Sequence, residues 1–284
     1  MAQRPIQLPE GRAARLNPGL FALLLLAGAS DAARADLDAG LAAFRVGDHG
    51  LALAEFQPLA QQGDAEAQFH LGIAYQKGWG VIADPAKALQ WYRRAADQGH
   101  AKAQHNLALA YLRGAGVTAD AERARDWFER AAAQGDARAA HELGLLYFRG
   151  EGVARDWVAA RTWWEKADRA GEPRAAYDLG ILFRRGQGGV PRDVPASLHL
   201  WRRAAEGGLA LAQNALGACY LNGDGVPPDA IEAWAWFRLA ADGGLAVASV
   251  NGELARNLLD DAGFTRAQAR LDALRAALSR DIAR

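Results

Sequence analysis

Two histidines at equivalent positions of a repeated pattern are the first candidates for chemistry. His105 and His141 lie 36 residues apart, in neighbouring copies of the pattern, so neighbouring helices would carry them. Paired imidazoles can bind a metal ion or form a pH-sensitive patch, and with nearby carboxylates they would make a small-ligand or hydrolytic site. No third ligand recurs at a fixed spacing, so the alternative is two partly exposed polar residues. We predict no cofactor and no metal.

The other residues that could support catalysis do not form a catalytic pattern. No strand is predicted, so no Gly-rich phosphate loop follows one. The single cysteine, Cys219, cannot form an intramolecular disulfide; its expected role is a small buried residue, with a reactive thiol as the alternative. None of the four serines lies in a nucleophile elbow: Ser30, Ser197, Ser249 and Ser279. We therefore predict that the protein is not an enzyme.

The overall charge of the chain is balanced. The 284 residues include 33 basic and 33 acidic side chains, which gives a formal net charge of zero. Nonspecific binding to nucleic acid needs a clustered basic excess. We therefore predict no nucleic-acid partner.

A pattern of about 36 residues, written five times over residues 64–244, must position all of these side chains. Each copy predicts a helix A, a Gly-x-Gly-Val turn and a helix B; helix A of the first copy spans roughly Ala65 to Lys77. A fixed period of this length is typical of a solenoid. The predicted copies cover residues 64–99, 100–135, 136–171, 172–208 and 209–244, and the fourth has one extra loop residue.

Three recurrent features of the copies are best explained by structural roles and not by catalysis. Glycine inside helix A costs about 1 kcal/mol relative to Ala, so its recurrence predicts close contact between helices at Gly72, Gly144, Gly180 and Gly217, where the second copy has Ala108. Aromatic pairs at the end of helix B, such as Trp163–Trp164, predict core. A recurrent aspartate predicts an N-cap on helix B rather than a catalytic acid, at Asp84, Asp120, Asp156, Asp193 and Asp229.

The repeated segments A-x-A-Q-x-x-L-G-x-x-Y, G-x-G-V, D-x-x-K-A and W-Y/F-x-x-A-A resemble the Sel1-like repeat, a relative of the tetratricopeptide repeat, over about Ala65 to Gly244. The resemblance implies an all-α, right-handed α-solenoid of helix-turn-helix repeats that mediates protein–protein interaction. Members are often secreted or envelope proteins of bacteria. This implies a periplasmic regulator of a membrane signalling protein, such as the sensor domain of a histidine kinase, or of a cell-envelope process. The alternative is a secreted host-interaction factor.

The N-terminal segment predicts export. Arginines precede the apolar run 20–29, and Ala33-Arg34-Ala35 offers a small-x-small cleavage site. Residues 1–35 are therefore predicted to be a signal peptide cleaved after Ala35, which places the protein in the periplasm or outside the cell without a stable membrane anchor. An uncleaved anchor is the alternative.

Both ends of the repeat array are predicted to be caps, because terminal repeats must shield an otherwise exposed core. Residues 36–63 read as a degenerate N-terminal capping repeat, and residues 245–284 as C-terminal capping helices. The last helix is expected to follow a break at Gly263 and to be capped by Thr265.

Non-repeated residues on helix A form the predicted binding surface, which we call the ladder. At four-residue spacing they lie on one stripe per helix, and stacked repeats align the stripes on a concave wall. An apolar centre with a basic edge fits a protein or peptide partner with acidic residues. The alternative is that Arg138–Glu142 and Arg174–Asp178 are i,i+4 pairs that stabilise their own helices, and that the apolar residues pack between repeats. The predicted partner-binding residues are Lys77, Arg113, Arg149, Arg185, Ile73, Leu109, Leu145, Ile181, Glu66, Lys102, Arg138 and Arg174.

Overall fold

The computed structural model describes residue 34 and residues 36–282, and this part of the chain is helical and contains no strand. The predicted signal peptide lies outside the described residues, apart from residue 34. The helices are α1 (36–45), α2 (His49–Gln62), α3 (Ala65–Lys77), α4 (Pro85–Asp97), α5 (Ala101–Arg113), α6 (Ala121–Ala133), α7 (Ala137–Arg149), α8 (Trp157–Arg169), α9 (Pro173–Arg185), α10 (Val194–Glu206), α11 (Ala210–Asn222), α12 (Ala230–Asp242), α13 (Ala246–Arg256) and α14 (Asp261–Ile282).

The chain divides into two compact units after Asp84. The first unit contains α1 to α3, and its core includes the buried side chains of Phe56 and Leu71. The imidazole of His70 lies between two rings of this core, 4.8 Å from the centroid of Phe44 and 5.0 Å from that of Phe56. The first unit thus has its own aromatic core.

The second unit begins at Pro85 and is a stack of helix pairs. Each helix from α5 to α12 packs against the helices before and after it. Helix A and helix B of the predicted copies correspond to α5 and α6, α7 and α8, α9 and α10, and α11 and α12. The predicted fold class, an all-α solenoid of helix-turn-helix repeats, is confirmed.

The two glycines of each Gly-x-Gly turn have different structural roles. Gly150 ends α7 in the left-handed conformation, with φ of 73°, which a residue with a Cβ adopts at a cost. Gly152 also has positive φ, and a Cβ there would lie 2.6 Å from the carbonyl carbon of Ala121 at the start of α6. The second glycine therefore lets the turn of one repeat approach helix B of the previous repeat.

Four of the five recurrent aspartates, all in the second unit, cap helix B as predicted. Asp156 accepts hydrogen bonds of 2.9 Å from the backbone N–H groups of Val158 and Ala159 at the start of α8. The same role falls to Asp120, Asp193 and Asp229. These carboxylates satisfy helix-end donors, so they are structural groups.

The predicted close contacts at the helix A glycines are present in the second unit. A Cβ on Gly144 would overlap the indole nitrogen of Trp164, and one on Gly217 would lie 2.7 Å from the ring of Phe237. Trp164 and Phe237 are buried. Glycine is needed at these positions because the aromatic ring of helix B occupies the space of its side chain.

The prediction for the last helix is wrong in its boundary. Helix α14 starts at Asp261 and runs through Gly263 without a break. The Gly263 N–H donates to the carboxylate of Asp260 at 2.6 Å, so a residue before the helix satisfies a first-turn donor. The hydroxyl of Thr265 donates to the carbonyl oxygen of Asp261 at 2.9 Å and lies inside the helix.

Helix α14 is anchored on α12. Arg270 donates to the carboxylate of Glu232 at 2.6 and 3.3 Å, and the ring of Phe264 lies 5.0 Å from that of Trp234. The last helix therefore packs on α12, which is helix B of the fifth copy.

Candidate functional site

The ladder residues of the second unit lie at the surface of helix A, on α5, α7 and α9. The centre of the stripe is half-buried at Leu109, Leu145 and Ile181. Its edges carry exposed basic side chains, which are Lys102, Arg113, Arg138, Arg149, Arg174 and Arg185. Each helix A therefore presents an apolar strip between two cations.

The basic side chains of the ladder form no ion pair with other residues of the described part of the chain. Within residues 36–282, Arg149 and Arg185 form no ion pair, and neither Arg138–Glu142 nor Arg174–Asp178 pairs. Asp178 contacts His141 on α7 instead. The alternative that these charges stabilise their own helices as i,i+4 pairs is therefore wrong for both pairs.

In the first unit, the ladder residues of α3 have different surroundings. Lys77 is exposed, and Ile73 is half-buried. The carboxylate of Glu66 lies 3.2 Å from the Nε2 atom of His70. Glu66 thus interacts with His70, a residue of the same helix.

A cavity of about 230 Å³ opens between α7 and α9. Four ladder residues form its sides: Leu145, Arg149, Ile181 and Arg185. Phe148, Trp164 and Asp178 complete the lining. The structure therefore brings together an apolar wall, two unpaired guanidinium groups and one carboxylate.

The floor of this cavity is rigid because Trp164 is held at both its edge and its face. Its Nε1 atom donates a hydrogen bond of 3.1 Å to the carbonyl oxygen of His141, in the space left by Gly144. Its ring lies 5.4 Å from that of Phe148. A buried indole with its N–H satisfied is a stable apolar surface.

A second cavity of about 450 Å³ continues from the first, between α9 and α11. Ile181 and Arg185 line both cavities, and the second adds Tyr177, Arg184, Arg192, Trp201 and Ala215. The guanidinium of Arg184 donates to Asp224 at 2.5 Å and lies 5.5 Å from the ring of Trp201. We call the two cavities together the groove.

The two histidines that are candidates for a metal pair are buried, and each lies near a different carboxylate. His141 Nε2 lies 2.7 Å from the carboxylate of Asp178, and His105 Nδ1 lies 3.7 Å from that of Asp136. Their exposed fractions are 5% and 6%, so the alternative of partly exposed residues is wrong. Within the described residues, no group of three or more His, Cys, Asp and Glu side chains could hold a metal ion.

Burial has the largest effect on the pKa of His105. It lowers the pKa of this imidazole from 6.5 to about 4, although the carboxylate of Asp136 acts in the opposite direction. The positive charges of Arg138 and Arg113 lower the pKa further. Burial likewise raises the pKa of the Cys219 thiol, which is 2% exposed, so the thiolate is disfavoured.

Sequence reasoning missed the aromatic and cationic parts of the groove. The sequence predicts Trp164 as a core residue, yet Trp164 lines the first cavity and Trp201 lines the second. Arg184 lies one residue before the predicted Arg185 and faces the neighbouring helix pair. The recurrence of tryptophan opposite a helix A glycine is the signal that could have pointed to the floor.

Helix pairs stacked in register, with a groove along helix A of successive pairs, define the class of protein as an α-solenoid scaffold. The chain belongs to the Sel1 repeat family, whose model matches residues 65–100, 101–136, 137–171, 173–209 and 210–245. Sel1 repeat proteins are generally non-catalytic scaffolds that bind protein partners. No curated protein matches the chain.

Two solved structures are similar to this chain in sequence and fold. One is c5321, a protective antigen present in uropathogenic Escherichia coli strains, with 34% identity, a TM-score of 0.74 and coverage of 81% of this chain. This chain covers only half of c5321. The other is a Sel1 repeat protein from Oxalobacter formigenes, with 32% identity, a TM-score of 0.70 and coverage of 75% of this chain and 84% of that one.

A third structure shares the fold alone. It is the immunity protein PA5088 from Pseudomonas aeruginosa, at 18% identity and a TM-score of 0.51, with coverage of 72% of this chain and 82% of that one. None of the helices among residues 36–282 combines the length and the apolar character needed to cross a membrane.

Proposed function

We propose that this protein is an exported, non-enzymatic scaffold whose groove binds a segment of a partner protein that carries acidic and apolar side chains. The observation that carries the proposal is the cavity between α7 and α9. It gathers Leu145, Arg149, Ile181 and Arg185 around one volume of about 230 Å³. A concave apolar site with a few polar groups at its rim is typical of a binding site.

The chemistry of the rim selects the partner. Guanidinium groups bind carboxylates through paired, charge-assisted hydrogen bonds, and Arg149 and Arg185 have no such acceptor within the described residues. Apolar side chains of the partner would fill the space over Trp164. A polypeptide segment satisfies both requirements, since it carries both kinds of side chain on one flexible backbone.

The place of action that we propose is the periplasm, with an envelope signalling or cell-wall protein as the partner. The apolar run 20–29 and the small residues Ala33 and Ala35 favour export. The partner would bind after removal of residues 1–35. N-terminal sequencing of the chain produced in a Gram-negative host tests this part: the mature protein should begin at Asp36, and retention of Met1 would contradict it.

A host-interaction factor is the second candidate function. The similar structure c5321 is a protective antigen present in uropathogenic Escherichia coli strains. The same groove would then bind a host protein. Fractionation of a producing strain separates the two candidates, because only the second predicts the protein in the culture medium.

Site-specific cross-linking tests the groove itself. A photo-reactive residue replaces Ile181 inside the groove or, as a control, Val158, which is 51% exposed on α8. Mass spectrometry then identifies the partner segment that is cross-linked at 181. We expect this segment to carry acidic and apolar side chains and to be absent from the control.

A synthetic peptide of that segment provides the quantitative test. Its affinity for the purified chain should fall about tenfold in Arg149→Glu, since one charge-assisted contact turns into a repulsion. Arg266→Glu makes the same charge change on α14, where the side chain is exposed, and should leave binding unchanged. Equal loss in both variants would contradict the groove.

A further inference from the structure

The ladder changes its chemical character along the second unit. On α5, α7 and α9, the second residue of helix A is an exposed cation, at Lys102, Arg138 and Arg174. On α11 and α13, the equivalent residues are Leu211 and Val247, which are 43% and 53% exposed. The first edge of the ladder thus turns from basic to apolar at α11.

The opposite edge of the ladder changes in the same direction. Its members on α5, α7 and α9 are Arg113, Arg149 and Arg185. The equivalent residue of α11 is Asn222, and that of the chain just after α13 is Leu258, which is 67% exposed. At the centre of the stripe, the half-buried Ile181 of α9 corresponds to Leu254 of α13, which is 55% exposed.

Direct side-chain contacts keep these helices in register. The amide of Asn251 on α13 donates to the side-chain oxygen of Asn214 on α11 at 2.9 Å. Arg184 on α9 donates to Asp224, just after α11, and His141 on α7 contacts Asp178 on α9. The basic and the apolar parts therefore lie on neighbouring helices of one continuous surface.

Exposed apolar side chains at successive ladder positions are not explained by packing. Single exposed leucines are ordinary, but a contiguous apolar patch indicates an interaction site. Helix α14 contacts Trp234 on α12 and Arg256 on α13, and it leaves the side chains of this patch exposed. The exposed apolar residues continue the line of the groove.

We propose that the second unit binds a two-part segment of another protein, with a block of acidic residues on α5, α7 and α9 and a block of apolar residues on α11 and α13. The inference rests on the proposed function and adds the order of the two blocks. Charge complementarity selects the first block, since the cations of the ladder lie unpaired among the described residues. Burial of Leu211, Val247, Leu254 and Leu258 drives the second.

The length of the segment follows from the spacing of the helices. Helices in side-chain contact lie about 10 Å apart, so the four steps from α5 to α13 span about 40 Å. An extended chain advances about 3.3 Å per residue, and about 12 residues cover this distance. The acidic and the apolar block would each take up roughly half of the segment.

A peptide library provides the test because the partner is not needed. Random 16-residue peptides are displayed and selected on the immobilised full chain. We expect the enriched peptides to hold their acidic and apolar residues in separate blocks. A photo-reactive group placed in the acidic block should cross-link to α7 or α9, and one placed in the apolar block should cross-link to α11 or α13.

Two variants with matched controls assign each block. Arg149→Glu should weaken an enriched peptide about tenfold and reduce the salt dependence of its affinity. Leu254→Asp should weaken it by a similar factor and leave the salt dependence unchanged. Arg266→Glu and Val158→Asp change exposed residues of the same kinds outside the ladder and should each alter the affinity less than twofold. Circular dichroism checks that every variant is folded.

The outcomes separate the inference from the proposed function. Acidic peptides that respond to Arg149→Glu but not to Leu254→Asp would overturn the two-part segment and leave the groove intact. Absence of any enriched peptide would overturn both. If sedimentation velocity shows a dimer that Leu254→Asp abolishes, the apolar residues bind a second copy of the chain. If single-stranded DNA binds more tightly than the peptides, the basic residues bind a nucleic acid and not an acidic peptide block. Either result would overturn the inference.

Discussion

The indole Nε1 atom of Trp164 donates a hydrogen bond of 3.1 Å to the backbone carbonyl oxygen of His141, across the space that Gly144 leaves by having no side chain. The next repeat contains the same arrangement, in which Trp201 donates to the carbonyl oxygen of Tyr177 at 3.0 Å. One repeat earlier, Ala108 and Phe128 stand at the places of Gly144 and Trp164. In these two repeats a glycine on helix A accompanies a tryptophan on helix B, whereas Gly217 faces Phe237.

This arrangement predicts that Gly144→Ala destabilises the protein by about 1 kcal/mol. The added methyl group would overlap the indole of Trp164, and overpacked cores cost about 1–3 kcal/mol. Helix propensity acts in the opposite direction by about 1 kcal/mol, so the observed loss is the excess of overpacking over propensity. Urea unfolding followed by circular dichroism measures the change.

A double variant shows whether the indole is the cause. Gly144→Ala with Trp164→Phe rebuilds the Ala108–Phe128 combination of the second repeat. The double variant should be less destabilised than the sum of the two single variants, because the smaller ring makes room for the methyl group. Additive effects would mean that the ring does not clash with the added methyl.

His105 predicts a loss of stability in mild acid. Its folded pKa of about 4 lies below the unfolded value of about 6.5, so the unfolded chain binds the proton first as the pH falls. The contribution of the neutral imidazole is complete above pH 6.5 and is lost between pH 6.5 and 4. The difference corresponds to about 3 kcal/mol.

The measurement is the free energy of unfolding from pH 4.5 to 7.5. His105→Gln removes the titrating group, so the gap between wild type and variant should narrow as the pH falls. The control is Asn222→Gln, since Asn222 is exposed at the end of α11 and does not titrate, so its gap should be constant. A constant gap for His105→Gln as well would refute the assigned cause.

Asp178 predicts a link between stability and the groove. Its carboxylate contacts the buried His141 at 2.7 Å and also lines the cavity between α7 and α9. Asp178→Ala should cost about 2 kcal/mol, because it leaves a buried imidazole nitrogen without its partner. The matched variant is Glu142→Ala, at the equivalent place of α7, which should cost less than about 0.5 kcal/mol. Chemical denaturation of both variants decides the point.

Two arginines are expected to separate stability from binding. Arg270→Ala should lower the free energy of unfolding by about 1 kcal/mol, since Arg270 makes two hydrogen bonds to the half-buried Glu232 and holds α14 on α12. Arg149→Ala should leave stability within about 0.5 kcal/mol of wild type, because its side chain is exposed and unpaired among the described residues. Arg270→Ala should therefore lower the unfolding temperature and leave peptide affinity unchanged. Arg149→Ala should lower peptide affinity and leave the unfolding temperature unchanged. Loss of stability in Arg149→Ala would show that the ladder has a structural role.

Much of the fold was predictable because the local signals agree with one another five times. The period, the helix A glycines, the Gly-x-Gly turns and the capping aspartates each predicted a feature that the second unit contains. The error at Gly263 has a local cause. One glycine near a helix start costs about 1 kcal/mol, and the contacts of Arg270 and Phe264 with α12 outweigh it.

The candidate site was predictable only in part. The spacing of Leu145, Arg149, Ile181 and Arg185 placed them on one stripe, and the structure places all four around one cavity. The i,i+4 alternative failed because Asp178 has a buried histidine of the neighbouring repeat within reach, and that contact draws its carboxylate away from Arg174. Sequence distance could not reveal a contact between residues 37 positions apart.

The sequence by itself determined the repeat, the helix boundaries of that repeat and the face of helix A that varies between copies. These follow from backbone propensities and side-chain periodicity, which act within a few residues. Only the tertiary structure decided that His105 and His141 are buried with separate carboxylates, that Trp164 forms a cavity floor, and that the apolar ladder residues of α13 remain uncovered. Burial and partner choice depend on which helices stack together, so they are properties of neighbouring repeats and not of any one segment.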